Sequence, residues 1–328
     1  MKILVTGGAG YIGSFMVKRL LDQDDQVTVI DSLERGHLEA VDRRADFIKL
    51  DIRDLKSLTD FFSGKHFDGL IHFAGYISVE ESSKYPKKYY ENNVEGSKNV
   101  FSIAVGSGVN KIIFSSTAAV YGNPIKIPIP EDHPKNPTSP YGETKLATEE
   151  TLKALREKNA NLSFAALRYF NAAGAALDGS NGENHDPETH IIPLAMRALL
   201  TGSEFSLYGT DYDTPDRTCI RDYIHVLDLA ETHTLTLGRL IDGARSDFYN
   251  AGVSKGYSNK EVIDIVRKVT GLDLKVKYGP RREGDAAILY AATDKIKTDF
   301  GWEPKYGLKE IIGTAYLWHS KHPEGYKK

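Results

Sequence analysis

The chain is almost without cysteine, since Cys219 is its single thiol among 328 residues. One cysteine cannot form an intramolecular disulfide, and this is typical of proteins that stay in a reducing compartment. The segment around it reads Asp-Arg-Thr-Cys-Ile-Arg and contains no histidine that could activate the thiol. We therefore interpret Cys219 as a buried structural residue, and we expect a cytoplasmic protein.

The sequence also lacks long apolar runs and any excess of basic residues. No segment approaches the roughly 18 consecutive apolar residues of a membrane-spanning helix. The residues after Met1 enter a short strand pattern directly, unlike a secretory signal. Lys and Arg together number 42 and Asp and Glu 45, for a formal net charge of -3. This balance argues against nucleic acid as a partner, and we expect no membrane partner either.

Up to about residue 171, short apolar runs alternate with segments of helical period. Such alternation is typical of βαβ units, whose buried parallel strands appear as nearly continuous apolar runs. We predict an α/β fold with a doubly wound parallel sheet of the Rossmann type over residues 1–171. The predicted strands are residues 2–6, 26–30, 46–50, 69–73, 111–115 and 163–167, and the clearest helices are residues 11–21, 86–105 and 141–157.

The pattern changes beyond this point. Residues 172–190 are rich in Gly, Asn, Asp and Ala and have no clear period, and a loop of this length inside a compact domain is usually functional. Helical stretches follow at residues 191–200, 226–240, 259–269 and 308–320. We predict a smaller α/β substrate domain over residues 172–328, from which the chain can cross back into the first domain.

A glycine-rich turn follows the first predicted strand and opens the first predicted helix. It contains Gly7, Gly10 and Gly13, with Tyr11 and Ile12 at the start of the helix. A dinucleotide pyrophosphate binds to main-chain N–H groups at a helix N-terminus, where side chains would obstruct its approach. The position between strand and helix predicts that these five residues bind a dinucleotide.

The second predicted strand ends at Asp31, eighteen residues after Gly13. A carboxylate there accepts hydrogen bonds from the ribose diol of NAD and repels the 2′-phosphate of NADP. The alternative is an aspartate that only caps the next turn. Because the glycine-rich turn is present, we interpret Asp31 as a ribose-binding residue and predict NAD rather than NADP.

Two later strand ends fit the same cofactor. Asp51 and Ile52 follow the third predicted strand, where an acid can meet the adenine amino group. Phe73, Ala74 and Gly75 follow the fourth, where small residues let the main chain pass close to a dinucleotide. Because ligands of such sheets bind at the carboxyl ends of the strands, we expect all five residues to line the NAD site.

Tyr141 and Lys145 begin a predicted helix, and a spacing of four residues places them on one face. The Tyr phenol has an ordinary pKa near 10. We expect the Lys145 ammonium and a cationic nicotinamide to lower the pKa of Tyr141, so that it can act as a base. The segment Ser115-Ser116-Thr117 supplies hydroxyl groups that could bridge the phenol and a substrate.

Eight segments are spread along most of the chain: TGGAGYIGS, HFAG, YYENNVEG, FSSTAAVYG, SPYGETKL, LRYFNAAGA, CIRDYIHVLDLA and PRREGD. In these segments and their order the sequence resembles the UDP-glucose 4-epimerases, a family of extended short-chain dehydrogenases/reductases. The resemblance implies that Thr117, Tyr141 and Lys145 are catalytic, and that Lys145, Asn92 and Tyr169 contact NAD. It places a UDP-sugar against Thr117, Asn171, His190, Tyr208, Arg221, Arg282, Asp285 and Leu289.

The predicted roles of the two arginines and of Leu289 can each be given a chemical reason. A UDP diphosphate carries about two negative charges, and guanidinium groups such as those of Arg221 and Arg282 are suited to bind it. In this family a residue just beyond the PRREGD segment lines the pocket beside the C2 substituent of the sugar. The resemblance therefore implies that Leu289 forms this wall, with Tyr290 in its place if the register slips by one. The alternative is that Leu289 is simply a core strand residue.

The activity that the resemblance implies is interconversion of UDP-glucose and UDP-galactose, in galactose metabolism. Tyr141 takes the C4 hydroxyl proton as hydride passes to NAD, the 4-keto sugar turns over, and hydride returns to the opposite face. NAD is not consumed and is expected to stay bound. The resemblance also implies a homodimer. The histidines show no metal-ligand spacing, so we predict no metal.

Three alternatives remain open. Nucleotide-sugar 4,6-dehydratases and uronate decarboxylases share the oxidation step, but their segment after the catalytic Thr contains carboxylates. Here Ala118 and Ala119 stand in that place, so the acid for elimination is missing. The third alternative is a non-catalytic regulator that senses NAD on the same fold. Such a protein would have no reason to keep both Tyr141 and Lys145.

Overall fold

The computed structural model describes residues 1–281 and 285–326, which form two compact units. Unit 1 comprises Met1–Gly122, Pro134–Tyr169 and Ala230–Tyr249. Unit 2 comprises Asn123–His133, Phe170–Leu229 and the described residues from Asn250 onward. The chain therefore passes between the units several times, and neither unit is one continuous segment.

The strands in chain order are β1 (Lys2–Thr6), β2 (Gln26–Asp31), β3 (Asp46–Lys49), β4 (Gly69–His72), β5 (Lys111–Thr117), β6 (Ser163–Tyr169), β7 (Asn171–Ala173), β8 (Phe205–Tyr208), β9 (Ile220–His225), β10 (Asp247–Ala251), β11 (Gly256–Ser258), β12 (Val276–Gly279) and β13 (Ile288–Leu289). The α-helices are α1 (Tyr11–Leu21), α2 (Leu55–Phe62), α3 (Val79–Lys84), α4 (Pro86–Tyr89), α5 (Ser97–Gly106), α6 (Pro140–Lys158), α7 (Ile191–Thr201), α8 (Val226–Ile241), α9 (Asn259–Thr270), α10 (Asp294–Phe300) and α11 (Leu308–Lys321).

Unit 1 is built on a seven-stranded sheet with the order β10-β6-β5-β4-β1-β2-β3. The pairs from β3 to β6 along this order are parallel. The core of the sheet is apolar on both faces, and Ile3, Leu4, Val5, Ile112 and Ile113 are fully buried. The predicted doubly wound parallel sheet of the Rossmann type is confirmed. The strand order reverses between β1 and β4, where folds of this kind bind their ligands.

Strands β5 and β6 each continue two residues beyond their predicted ends. Ser116 pairs with Arg168, and Thr117 pairs with Tyr169. Polar residues in these positions resemble a loop in the sequence, but here their side chains have buried partners. The extension places Thr117 at the last position of a central strand, which fixes its backbone.

The segment predicted as one helix over residues 86–105 is instead divided. Helix α4 passes into a π-helical stretch, Tyr90–Gly96, before α5 begins. Within it the main-chain carbonyl of Asn93 accepts hydrogen bonds from Ser97 Oγ at 2.6 Å and Thr148 Oγ1 at 3.0 Å. These side-chain donors satisfy a carbonyl in the widened turn. Short π-helical segments of this kind occur frequently at functional sites.

A buried ion pair joins α6 to the sheet of unit 1. Arg168 Nε and Nη2 donate to the two carboxylate oxygens of Glu149 at 2.9 and 2.8 Å. Ser116 Oγ donates to Glu149 at 2.6 Å, and Arg168 Nη1 lies 2.9 Å from Tyr121 Oη. Both charged side chains are at most 1% exposed. Removing one partner from such a pair leaves an uncompensated charge in the core.

Unit 2 is organised around β9. It pairs with β11 and β13, and β7 also pairs with it, while β8 and β12 form a separate two-stranded sheet. The core includes Ile192, Met196, Val262 and Ile311, contributed by helices α7, α9 and α11. The start of the segment predicted as loop is therefore strand β7, whose short Asn-Ala-Ala sequence has no strand pattern of its own.

Two further observations concern the predictions made above. Across the described ranges, no helix combines the length and apolar character needed to cross a membrane.

Cys219 is 6% exposed, and burial raises the pKa of its thiol. The interpretation of Cys219 as a structural residue is thus supported by its surroundings.

We expect Arg168→Met to lower the free energy of unfolding by about 3–5 kcal/mol, because it leaves the Glu149 carboxylate buried without its cation. The double variant Glu149→Leu/Arg168→Met should recover much of that loss. Lys18→Met, which removes an exposed pair with Asp22, is the matched control and should change stability by about 0.5 kcal/mol or less. Urea unfolding measures all three. An Arg168→Met protein as stable as the parent would contradict this account of the core.

Candidate active site

The glycine-rich turn joins β1 to α1 in the arrangement that the sequence predicts. Gly7 has a φ of +74°, and a Cβ atom there would lie 2.5 Å from the main-chain nitrogen of Ala74. A Cβ on Gly13 would lie 2.2 Å from the carbonyl oxygen of Gly7. Packing within the protein therefore requires glycine at both positions.

Gly10 differs from the other two glycines. It is the N-cap residue of α1 with ordinary extended backbone, and a Cβ there would meet only Gly7 O, at 3.3 Å. The protein's own packing thus does not demand glycine at this point. A ligand that approaches the N-terminus of α1 would require glycine here, because a Cβ atom would obstruct its approach. The pyrophosphate of a dinucleotide is the ligand for which this turn is suited. Tyr11 and Ile12 are the first residues of the helix and are partly buried.

Asp31 lies beside this turn at the end of β2. One carboxylate oxygen accepts from the Ala9 main-chain N–H at 3.0 Å, and the other from the Leu33 N–H at 2.8 Å. Burial raises the pKa of Asp31, and the two N–H donors oppose that rise. The side chain is held in a fixed position, and a ribose diol can donate to its remaining lone pairs.

The end of β4 also lies against the turn, since a Cβ atom on Gly7 would meet Ala74, whereas Asp51 and Ile52 follow β3 at the edge of the sheet. Asp51 forms a close ion pair with Arg53, with Nε 2.9 Å from Oδ1, and this hydrogen bond lowers the pKa of Asp51. The Ile52 side chain is 5% exposed and belongs to the hydrophobic core, so any contact with a cofactor must come from its backbone. Phe73 and Ala74 are partly buried at the end of β4.

Gly75 connects this edge to the catalytic helix. A Cβ on Gly75 would lie 3.6 Å from Lys145 Nζ and 3.3 Å from Asn93 Oδ1. The neighbouring Asn92 is 8% exposed and donates from Nδ2 to Asn93 Oδ1 at 3.0 Å. The π-helical stretch therefore brings Asn92 into the same region as Lys145.

Helix α6 places Tyr141 and Lys145 against the end of β5. Ser139 caps the helix by accepting from the Gly142 N–H at 3.2 Å, which sets Tyr141 in the first turn. The Thr117 side chain lies within reach of the Tyr141 phenol and acts to lower its pKa. One turn later, Lys145 Nζ donates to the main-chain carbonyl of Ser115 at 2.7 Å. The three predicted catalytic residues are thus brought together by one helix and one strand.

The electrostatics of this group differ from the expectation. Burial raises the pKa of Tyr141 to about 12, although the Thr117 side chain opposes the rise. Burial lowers the pKa of Lys145 to about 7, although Glu149 opposes it. The prediction that the Lys145 ammonium lowers the pKa of Tyr141 is therefore wrong for the protein alone, because desolvation of both groups dominates.

Tyr169 ends β6 beside the catalytic pair. Its side chain is 6% exposed, and its hydroxyl hydrogen-bonds with His233 Nε2 on α8. Burial raises the pKa of Tyr169 well above its ordinary value. A neutral phenol held in this way can line a cofactor pocket.

Ala118 and Ala119 form a 3₁₀ turn directly after Thr117. The Ala119 N–H donates to Thr117 Oγ1 at 3.2 Å. A Cβ atom on Gly142 would lie only 2.7 Å from the Ala119 carbonyl oxygen. The turn that contains the two alanines therefore packs against the start of α6, beside Gly142. Neither can supply the acid that dehydration needs at this position.

Sequence reasoning missed Glu149, which takes part in holding this arrangement. It lies four residues after Lys145 on the same face of α6, binds Arg168, and accepts from Ser116, the neighbour of Thr117. The available signal was the spacing Lys-x-x-x-Glu, which places ammonium and carboxylate one helical turn apart.

The predicted substrate residues of unit 2 fall into separate groups. Arg221 on β9 lies 3.8 Å from Asp285 and pairs in register with Leu289 on β13. Arg221 and Leu289 are partly buried, while Asp285 is exposed. These three residues form one group, and Tyr290 follows Leu289 directly. Arg282 lies outside the described residues.

The other three residues lie elsewhere in unit 2. Asn171 begins β7 and donates from Nδ2 to the Asp222 carbonyl on β9 at 2.9 Å. Tyr208 ends β8 and is 39% exposed, with its ring beside Gly279. His190 is the N-cap residue of α7. Sequence separation gave no indication that Asn171 and Arg221 lie on adjacent strands.

Comparison with known proteins identifies the family of the chain. The family described as "Epimerase: NAD dependent epimerase/dehydratase family" matches residues 3–252. The UDP-glucose 4-epimerase of Lacticaseibacillus casei is 47% identical over 328 residues, covering 99% of each chain. A crystal structure of a UDP-glucose 4-epimerase is similar with a TM-score of 0.96 at 45% identity, over 100% of both chains. The UDP-glucose 4-epimerase from Bifidobacterium longum, solved in complex with NAD+ and UDP, has a TM-score of 0.94 at 34% identity, covering 99% of this chain and 100% of that one. The chain therefore belongs to the NAD dependent epimerase/dehydratase family.

Proposed function

We propose that this protein interconverts UDP-glucose and UDP-galactose with bound NAD. The observation that carries the proposal is the proximity of Tyr141 to Thr117, with Lys145 one turn away and alanine at positions 118 and 119. The chain has a proton-transfer group at the end of a central strand but no adjacent acid for elimination. A 4,6-dehydratase or decarboxylase is therefore the weaker candidate, and a non-catalytic NAD sensor would not need this group.

NAD is held by the edge of the sheet at which the strand order reverses. The N-terminus of α1 at Gly10 receives the pyrophosphate, and Asp31 accepts from the adenosine ribose. Bound NAD supplies the hydride acceptor and, after the sugar has turned over, the hydride donor. The remaining contacts come from the residues that line this edge: Gly7, Tyr11, Ile12, Gly13, Asp51, Ile52, Phe73, Ala74, Gly75, Asn92, Tyr141, Lys145 and Tyr169.

The protein's own residues move one proton in each direction. Tyr141 accepts the proton of the C4 hydroxyl while the C4–H bond is broken, so the sugar becomes a ketone. When the C4–H bond forms again on the other face, Tyr141 returns the proton to the C4 oxygen. Thr117, within reach of the same phenol, orients the oxygen for transfer in both directions.

A second set of side chains is proposed to hold the nucleotide. Arg221 and Arg282 provide guanidinium groups for the diphosphate, and Asp285 orients Arg221. Asn171, His190 and Tyr208 bind other parts of the UDP-sugar. Holding the nucleotide while the sugar is free to turn is what allows both faces of C4 to be presented. We also propose a cytoplasmic location and a homodimer, on the resemblance to the family.

The first test is turnover by the base variant. Purified protein incubated with UDP-galactose, without added NAD, should form UDP-glucose. Tyr141→Phe keeps the ring but removes the base, so its kcat should fall on the order of 10²–10⁴-fold. Its bound NAD, measured after denaturation, should match the parent. A Tyr141→Phe enzyme with parental kcat would exclude Tyr141 as the base.

The second test uses the distinct position of Gly10. Gly10→Ala should fold normally, because a Cβ there meets only one atom of the protein. It should nevertheless lose most of its NAD, because the methyl group occupies the path of the pyrophosphate. Gly106→Ala is the control, since a Cβ at that position has open space around it. Bound NAD and thermal midpoint are measured for both; full NAD retention by Gly10→Ala would disprove this placement of the pyrophosphate.

The third test concerns the sugar. Leu289 is partly buried on β13 beside Arg221, so its side chain can form a wall of the sugar pocket. We expect UDP-glucose and UDP-galactose to be preferred over their N-acetyl counterparts by roughly tenfold or more in kcat/KM, because an acetamido group would overlap a packed leucine. Leu289→Ser should lower this preference in kcat/KM, because the smaller side chain leaves room for the acetamido group. If the ratio is unchanged by this substitution, Leu289 is only a strand residue.

A further inference from the structure

Four metal-binding side chains converge in the segment that precedes α7. Glu183, His185, Glu188 and His190 each present one donor atom, and these four atoms lie within 4.8 Å of one another. The chain thus folds eight consecutive positions so that two imidazoles and two carboxylates face a common point. The proposed catalysis uses none of the first three.

The separations between the imidazole nitrogens and the carboxylate oxygens are comparable to those between neighbouring ligands of a metal ion. His190 Nδ1 lies 2.8 Å from Glu183 Oε1 and 3.0 Å from Glu188 Oε1. His185 Nδ1 lies 3.2 Å from Glu183 Oε1 and 3.6 Å from Glu188 Oε2. Tetrahedral Zn²⁺ with bonds of about 2.0–2.1 Å to nitrogen and oxygen places neighbouring ligand atoms roughly 3.4 Å apart. The observed distances lie on both sides of that value.

Ion pairing alone accounts for this geometry less completely. Each imidazole turns the same nitrogen, Nδ1, toward both carboxylates, yet one N–H points in only one direction. The Glu183 and Glu188 side chains are only 4% and 1% exposed, so two negative charges are buried together. One divalent cation would neutralise both and bond to all four ligand atoms at once.

The surrounding main chain holds the carboxylates in place. Glu188 Oε1 accepts from the main-chain N–H groups of Thr189 and His190, each at 2.8 Å. The carbonyl of Glu183 accepts from Trp318 Nε1 on α11 at 3.1 Å. Outer contacts of this kind orient the ligands of a metal site before the ion arrives.

We propose that Glu183, His185, Glu188 and His190 bind one Zn²⁺ through the two Nδ1 atoms and one oxygen from each carboxylate. Four protein ligands leave no open position, which is the character of a structural site. Its role is to fix the segment that leads into α7 and, with it, the orientation of His190. The spacing of the histidines alone did not predict a metal, because half of the ligands are glutamates.

Calorimetry on the intact protein tests the proposal. The parent is treated with a chelator, dialysed and titrated with ZnCl₂; we expect one ion per chain with sub-micromolar Kd, and a higher thermal midpoint in the presence of zinc. Co²⁺ as the probe should give the strong visible absorption of a tetrahedral site. Absence of binding, or a Co²⁺ spectrum of an octahedral ion, would overturn the assignment.

Two ligand variants and one control separate the site from adventitious binding. His185→Gln and Glu188→Gln should each weaken zinc binding by about 100-fold or more, since each removes a direct ligand. His185 is the more exposed of the two, so His185→Gln keeps the test available if Glu188→Gln fails to fold. His66→Gln changes an exposed histidine of unit 1 that pairs with Asp68, and it should bind zinc like the parent. Equal zinc affinity in parent and His185→Gln would mean an adventitious ion only. The readout is binding, so this result does not depend on the proposed catalysis.

Discussion

The ion pair between Glu149 and Arg168 is the contact on which the arrangement of the predicted catalytic residues depends. It joins α6, which carries Tyr141 and Lys145, to β6, and through Ser116 to β5, which carries Thr117. A helix and a strand that were free to slide by one residue would separate the phenol from the hydroxyl group. Because both charges are fully buried, any displacement would leave one of them without a partner, and the register is fixed by that cost.

The same burial decides the chemistry of Tyr141. Desolvation opposes the phenolate strongly enough to raise its pKa to about 12, and it removes much of the charge that Lys145 would otherwise contribute. If Tyr141 is the base, as proposed, an oxidised nicotinamide ring bound nearby would add positive charge that favours the phenolate. Base strength and cofactor binding would then be coupled.

Most of the fold of unit 1 could be predicted from the sequence because its strands are buried on both faces and its turns are defined by glycine. The bounds of β1 and α1 agree with the prediction to the residue. The errors occurred where polar residues have buried partners: β5 and β6 continue through Ser116 and Arg168, and Asn93 sits in a π-helical turn. The local sequence pattern indicates which residues are exposed and with what period the apolar residues recur. These features instead depend on contacts between residues that are distant in the chain.

The two units also differ in how their functional residues can be recognised. In unit 1 the proposed pyrophosphate site consists of main-chain groups, so a strand, a glycine-rich turn and a helix in sequence order are sufficient to predict it. In unit 2 the groups are side chains on short strands and loops, and Arg221, Asp285 and Leu289 meet only because β13 pairs with β9. The cluster of Glu183, His185, Glu188 and His190 is another group of side chains that the sequence does not show to be together. Its members are close in sequence, yet only the path of the loop turns their donor atoms toward one point, and no periodicity in the sequence records that path.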